Sequence, residues 1–322
     1  MAQSQQAPAD LVFALRRVTE SAASAAFDWI GRGKSDEGDQ AAVDAMRAAL
    51  EQIDLDGTVV IGEGEKDEAP QLYNGERVGK PDALFKADIA VDPVEGTSYL
   101  AKGLTNALAV IAIAPTGTMM SPGPAFYMEK LALPPKAKGK IDPSWSTKKK
   151  LTELAKVLGK DISALTVFVL EKPRHRQLVE DIYDAGARVA LYPAGDVAGA
   201  LLAAMPGSGI DALMGTGGTP EGIMSACAIR GLGGEFLGRL DPQLQTEMKA
   251  AKEAGLDTKR WYKLEELASS QDVLFCATGI TTGLMLDGVE RVDGHTKVQT
   301  LMITGRTLER QVITSYLPAA GN

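Results

Sequence analysis

The chain has 322 residues, 45% of them hydrophobic and 24% charged, with a formal net charge of -8. This is a globular composition with material for two domains or one large one. The negative balance argues against a nucleic-acid backbone as partner. No apolar run approaches a membrane span and Met1 to Asp10 hold no signal-peptide core, so a cytoplasmic enzyme is expected.

The first predicted element is an amphipathic helix from Leu11 to Ile30, with Asp10 as cap and Gly31 as stop. A polar, glycine-broken loop carries Asp36, Glu37 and Asp39, and a second helix runs from about Ala41 to Gln52. Locally, Asp39 reads as the cap of that helix. Thr58 to Gly62 is a short β-branched strand followed by Glu63, Glu65, Asp67 and Glu68. Ala87 to Val91 is the next strand, and Asp92-Pro-Val-Glu-Gly-Thr97 follows it. Pro93 lacks an amide donor, so the strand is expected to stop there, and Gly96 permits a tight turn. Both strands thus end in carboxylate and glycine. Asp92-Pro-Val-Glu-Gly is by itself most often an acidic surface turn. If the two strands are neighbours, however, Glu63, Asp92 and Glu95 meet at one sheet edge, where a divalent cation is the usual answer to their repulsion.

Asn106 to Ala114 and Phe126 to Leu133 read as further strands. Pro134 to Lys150, rich in Pro, Gly and Lys, marks a boundary, giving expected domains of 1–160 and 161–322. The Lys148 to Lys150 run reads as the solvated start of a helix closed by Gly159.

The second half repeats one pattern. Strands at Thr166 to Leu170, Arg188 to Tyr192 and Ala212 to Met214 each lead through a loop into a helix. The loops are Lys172-Pro-Arg-His175, Ala194-Gly-Asp196 and Gly215-Thr-Gly-Gly-Thr-Pro-Glu-Gly222. Three such units imply parallel strands with right-handed crossovers and three loops at one carboxyl edge, where helix N-termini favour anions. Lys172 and Arg174 add positive charge, so a phosphate is the natural ligand. Glu221 serves the helix dipole or is a fourth acid at the edge. His175 is either an anion donor or a plain helix-start residue. The remainder is a helix from about Pro242 to Glu253, a strand at Val273 to Ala277, and a hairpin of Gly288–Val292 and Thr296–Ile303 around Asp293-Gly294, with Gln311 to Tyr316 beyond. Thr278 to Gly283 is a weak second candidate for an anion loop, and His295 is expected at the surface.

Scarce residues restrict the chemistry. The two cysteines (Cys227, Cys276) and two histidines (His175, His295) have neither zinc-ligand spacing nor a disulfide framework, and no nucleophile elbow is present. Carboxylates without His or Cys favour a hard ion, Mg²⁺ or Mn²⁺. Together with helix N-termini beside Lys and Arg they suit metal-assisted phosphate-ester hydrolysis, with Thr97 near the attacking water.

Asp92-Pro-Val-Glu-Gly-Thr97 resembles the Asp-Pro-Ile/Leu-Asp-Gly-Thr/Ser signature of the lithium-sensitive, metal-dependent sugar phosphatases. Several further stretches are similar to class II fructose-1,6-bisphosphatases: Arg17-Val-Thr-Glu-Ser-Ala-Ala23, Val60-Ile-Gly-Glu-Gly-Glu65, Asp67-Glu-Ala-Pro70, Tyr127-Met-Glu-Lys-Leu131, Lys172-Pro-Arg-His175, Pro220-Glu-Gly222 and Ala277-Thr-Gly-Ile-Thr281. The resemblance runs in order from about Leu11 to Tyr316. It implies an α/β fold, α+β in a metal-binding first half and three-layer α/β in a substrate-binding second half. It also implies Asp39 and Glu63 as ligands of one metal, Asp92, Glu95 and Glu221 as ligands of another, and Thr97, Asp39 and Glu63 as the catalytic set. Substrate contacts would come from Glu95, Gly96, Thr97, Tyr127, Lys172, Pro173, Arg174, Ala194, Gly195, Asp196 and Gly218. Ala194 stands where the family often reads Asp, which bears on a sugar-hydroxyl contact and on discrimination between sugars. The expected activity is hydrolysis of the 1-phosphate of fructose 1,6-bisphosphate in gluconeogenesis, by a homodimer or homotetramer. The rivals are a sedoheptulose-1,7-bisphosphatase, a dual enzyme, and a non-catalytic sugar-phosphate sensor.

Overall fold

The computed structural model describes residues 7–64 and 71–318. In chain order they form α1 (Ala9–Ala26), α2 (Ser35–Leu50), β1 (Asp56–Ile61), β2 (Arg77–Gly79), β3 (Lys86–Glu95), α3 (Thr97–Lys102), β4 (Leu108–Pro115), β5 (Tyr127–Leu133), α4 (Thr147–Leu158), β6 (Thr166–Leu170), α5 (Arg176–Asp184) and β7 (Arg188–Tyr192). There follow α6 (Asp196–Ala204), β8 (Ala212–Gly218), α7 (Thr219–Leu232), β9 (Glu235–Leu240), α8 (Gln245–Glu253), β10 (Tyr262–Lys263), α9 (Leu264–Leu267), β11 (Leu274–Gly279), β12 (Glu290–Val292), β13 (His295–Thr304) and β14 (Glu309–Pro318). The fold is α/β. Among the described residues no helix is long and apolar enough to cross a membrane.

The chain divides into two compact units, one running up to Met119 and resuming at Ser270, the other spanning Met120–Ser269. The expected boundary at 160/161 is thus replaced by boundaries at 119/120 and 269/270. The reason is long-range pairing: β11 lies antiparallel between β4 and β13, so the last strands complete the first sheet. A boundary read from local composition cannot see a strand that returns from the far end of the chain.

The first unit holds an eight-stranded sheet in the order β12-β13-β11-β4-β3-β1-β2, with β14 on β13. α1 packs on it because Leu11, Leu15, Val18, Ala22 and Ala26 recur at helical spacing and are all buried. The helix begins after Pro8, so Asp10 sits in its first turn and does not cap it. β1 and β3 pair in parallel, Val59 opposite Ile89. β3 does not stop at Pro93. It runs to Glu95 through a register shift against β4 between Asp92 and Glu95. Pro93 falls inside this bulge, where its missing N–H leaves no ladder bond unmade. α2 starts six residues earlier than expected, so Asp39 lies in its second turn and is not a cap. Gly38 survives mid-helix because a Cβ there would come within 2.7 Å of Leu100 and 3.0 Å of Trp29.

The second unit holds a six-stranded mixed sheet, β10-β9-β5-β8-β6-β7. β6 pairs in parallel with both β7 and β8, as the repeated strand-loop-helix pattern implies. Alternation along the strands builds two cores. Leu131, Leu133, Val167 and Val169 meet Leu151, Leu154 and Ile182 on one face. Met128, Ala132, Phe168 and Leu170 meet Ala200, Ala203, Ala226 and Ile229 on the other. The result is three layers. Phe168 is 2% exposed and stacks on Tyr192 at 5.0 Å, and α6 passes so close that Gly199 has room only for hydrogen over its ring. Phe168→Ala is expected to cost about 3–5 kcal/mol in urea unfolding. Tyr183→Ala, at a 57% exposed position, is expected to stay within about 0.5 kcal/mol.

Candidate active site

The parallel pairing of β1 and β3 brings their carboxyl ends to one edge of the first sheet. Glu63 follows β1, and its backbone N–H donates to Leu72 O at 3.0 Å, which fixes the turn. Asp92 and Glu95 flank the β3 bulge with carboxylate oxygens within 4.8 Å of each other. Asp92 Oδ1 also accepts from the Val94 N–H at 3.2 Å, so the bulge is pinned by its own acid. Gly96 takes φ +87° and opens α3, which puts Thr97 in the first helical position. The sequence did not disclose this short helix. A Cβ on Gly96 would lie 2.6 Å from the Tyr99 ring.

Asp39 and Glu63 hydrogen-bond to each other through their side chains. Burial and the Asp39 charge push Glu63 up to about 8, and burial also raises Asp39. No cationic side chain pairs with either one among the described residues. Without a cation the two carboxyls share a proton at neutral pH, the usual outcome for crowded acids. With all-oxygen donors, this pair and the closely set Asp92–Glu95 carboxylates fit a hard divalent ion. Glu65, Asp67, Glu68 and the Asp67–Pro70 stretch lie outside the described residues.

In the second unit the parallel strands deliver the other candidates. The glycines of Gly215-Thr-Gly-Gly218 are not a loop: they belong to β8, and α7 begins at Thr219. A side chain stands against each glycine, so any Cβ would clash: His175 at Gly215, Asp196 at Gly217, Glu221 at Gly218. Asp196, in the first turn of α6 behind Gly195 at φ +87°, is buried and ion-paired with Lys130, itself 2% exposed. Glu221 is half-buried in the first turn of α7, and its Oε2 is buried without a hydrogen-bond partner. Burial and the Asp196 charge raise Glu221, while Lys130 pulls it down. Arg174 donates through Nε and Nη2 to Thr216 O, at 3.0 and 2.8 Å, and lies 5.1 Å from the Tyr127 ring centroid. Lys172 is exposed and precedes Pro173 at the helix start, and Ala194 is half-buried just before Gly195.

His175 is no anion donor. It is 4% exposed, with Nδ1 against Leu170 O at 2.6 Å and Nε2 accepting from the Thr216 N–H at 2.8 Å. Of the second candidate loop, Thr278 and Gly279 belong to β11, where Thr278 is buried and bonded to Thr19 and Thr300, and Ile280 to Gly283 follow the strand. His295 is exposed beside its turn. Sequence reading missed Lys130, Thr216 and Asp241. Lys130 had one signal, a lysine on the same strand face as Met128 and Ala132, which pack inward.

The family described as bacterial fructose-1,6-bisphosphatase, glpX-encoded, matches residues 9–317. The chain belongs to this family. It is 44% identical to "Fructose-1,6-bisphosphatase 1 class 2" of Escherichia coli K12 over 96% of both chains. The same identity and coverage hold for "Fructose-1,6-bisphosphatase class 2" of Shigella flexneri. The Asp92–Thr97 and Lys172–His175 stretches of this family member therefore sit at strand ends in a bisphosphatase scaffold.

Two stability effects follow. Lys130→Met leaves Asp196 buried and unpaired, so a loss of about 3–5 kcal/mol is expected, with much of it recovered in Lys130→Met/Asp196→Asn. Burial also holds His175 below its ordinary value. The folded ring thus resists a proton that the unfolded chain accepts, and its contribution is complete above about pH 6.5 and lost as pH falls below it. Between pH 6.5 and 5 the thermal midpoint is expected to fall more steeply in the wild type than in His175→Gln.

Proposed function

We propose that this protein hydrolyses the 1-phosphate of fructose 1,6-bisphosphate, giving fructose 6-phosphate and phosphate. The observation that carries the reading is the Asp39–Glu63 pair: two buried carboxyls hydrogen-bonded to each other at a sheet edge, with no cationic side chain paired to either among the described residues. Asp39 and Glu63 would hold one Mg²⁺ or Mn²⁺, and Asp92, Glu95 and Glu221 another. A hard divalent ion bound there supplies charge neutralisation for the phosphate and a lowered pKa for water.

The chain's own residues do the rest. The Thr97 hydroxyl accepts a hydrogen bond from the attacking water and hands a proton toward the Asp39 carboxylate. Water oxygen bonds to phosphorus, the bond between phosphorus and the C1 oxygen breaks, and that oxygen takes a proton from solvent water as it leaves. Lys172 and Arg174 hold phosphate oxygens, with the Arg174 fork already aimed by Thr216 O. Glu95, Gly96, Tyr127, Pro173, Gly195, Asp196 and Gly218 complete the contacts, with Ala194 lining the sugar. The buried thiols of Cys227 and Cys276 suit a reducing cytoplasm, and a homodimer or homotetramer is the proposed assembly.

The test is a phosphate-release panel over fructose 1,6-bisphosphate, sedoheptulose 1,7-bisphosphate and sugar monophosphates, with Mg²⁺ and with Mn²⁺. Fructose 1,6-bisphosphate should give the highest kcat/KM, and Glu63→Gln and Asp92→Asn should each lower kcat by about a hundredfold or more. Full turnover in excess chelator, or binding without turnover under either ion, would sink the proposal. Glu63 is held protonated up to about pH 8, so cation uptake at pH 7 should release about one proton. That release would appear as a binding heat that depends on the ionisation enthalpy of the buffer.

A further inference from the structure

We propose that His175 is a positioning residue for Arg174: its ring, acting through the backbone of Thr216, fixes where the guanidinium meets the substrate's phosphate. The inference rests on the reading of Arg174 as a phosphate contact.

The geometry begins where a ladder ends. β6 and β8 pair in parallel only at Val167 with Ala212 and at Phe168 with Leu213. Beyond that point the imidazole spans the gap, from Leu170 O at the end of β6 to Thr216 N in β8. A backbone amide can only donate, so Nε2 accepts and Nδ1 carries the proton. The neutral ring this requires is favoured by its burial. The niche is cut to the ring: a Cβ on Gly215, which has φ +124°, would come within 2.8 Å of Nε2.

Thr216 is then held on three sides. Its N–H goes to His175, its Oγ1 donates to Asp241 Oδ2 at 2.6 Å, and its carbonyl receives both Arg174 bonds. Two of the three guanidinium nitrogens are committed to that one carbonyl. Any shift of Thr216 O therefore carries the guanidinium with it, while Tyr127 supports the group at 5.1 Å. His175 touches no candidate metal ligand by hydrogen bond, so its effect should fall on phosphate binding and not on the chemical step.

Two substitutions separate the ring's two bonds. His175→Asn keeps a donor near the Nδ1 position and loses the acceptor; His175→Gln keeps an acceptor near the Nε2 position. Steady-state kinetics on fructose 1,6-bisphosphate should show KM raised about tenfold or more by Asn with kcat within about threefold, and KM nearly unchanged by Gln. Arg174→Ala should raise KM on its own, and His175→Asn should add nothing further in that background. Equal effects of Asn in both backgrounds would overturn the proposal while leaving Arg174 a phosphate contact. An unchanged KM in Arg174→Ala would instead remove the reading on which the proposal rests. Should His175→Asn fail to fold, nitrogen chemical shifts of the wild-type histidines decide: a protonated Nδ1 and bare Nε2 are expected, and a protonated Nε2 overturns it. With His295 the only other histidine, the assignment is direct.

Discussion

Carboxylates crowded out of water repel one another, and each unit meets that constraint in its own way. In the first unit no cationic side chain among the described residues pairs with Asp39 or Glu63, and the two carboxyls bond to each other instead. In the second unit a protein cation does: Lys130 lies buried against Asp196 and offsets part of the charge on Glu221. The first arrangement is open to an external cation. The second is largely closed, because the ammonium is built into β5.

Glycine has a matching double use. At Gly96 a positive φ lets β3 turn directly into α3, which carries Thr97. In β8 the glycines serve space: His175, Asp196 and Glu221 each occupy the volume a Cβ would need. Strand β8 is thus a thin slat between closely packed polar side chains. This explains why a run that looks like an anion loop is extended strand, paired with β5 from Tyr127 opposite Gly218 to Ala132 opposite Leu213.

Order around the site comes from backbone acceptors as much as from side chains. Thr216 O holds Arg174, Leu170 O holds His175, and Leu72 O holds the peptide that leads into Glu63. Each carbonyl sits in or beside a strand whose position the hydrophobic layers already fix. Side chains held this way lose little entropy when they meet a ligand, which is the physical content of preorganisation.

The sequence by itself determined the carboxylate-rich strand ends, the strand-loop-helix units of β6 to β8 and the family resemblance carried by Asp92–Thr97 and Lys172–His175. These are properties of residue type, local spacing and period. It misread Asp39 as a cap, Pro93 as a strand stop, the β8 glycines as a loop and 160/161 as a boundary, because each depends on a partner distant in the chain. Pro93 is tolerated only because β4 shifts register opposite it. The β8 glycines are explained only by the side chains that fill their space, and β11 belongs to the first sheet only because β4 and β13 accept it. His175 shows the division most sharply: the sequence offered an anion donor or a helix start. Tertiary structure made it a bridge between two strands, because only the folded sheet sets Leu170 O and Thr216 N one imidazole apart.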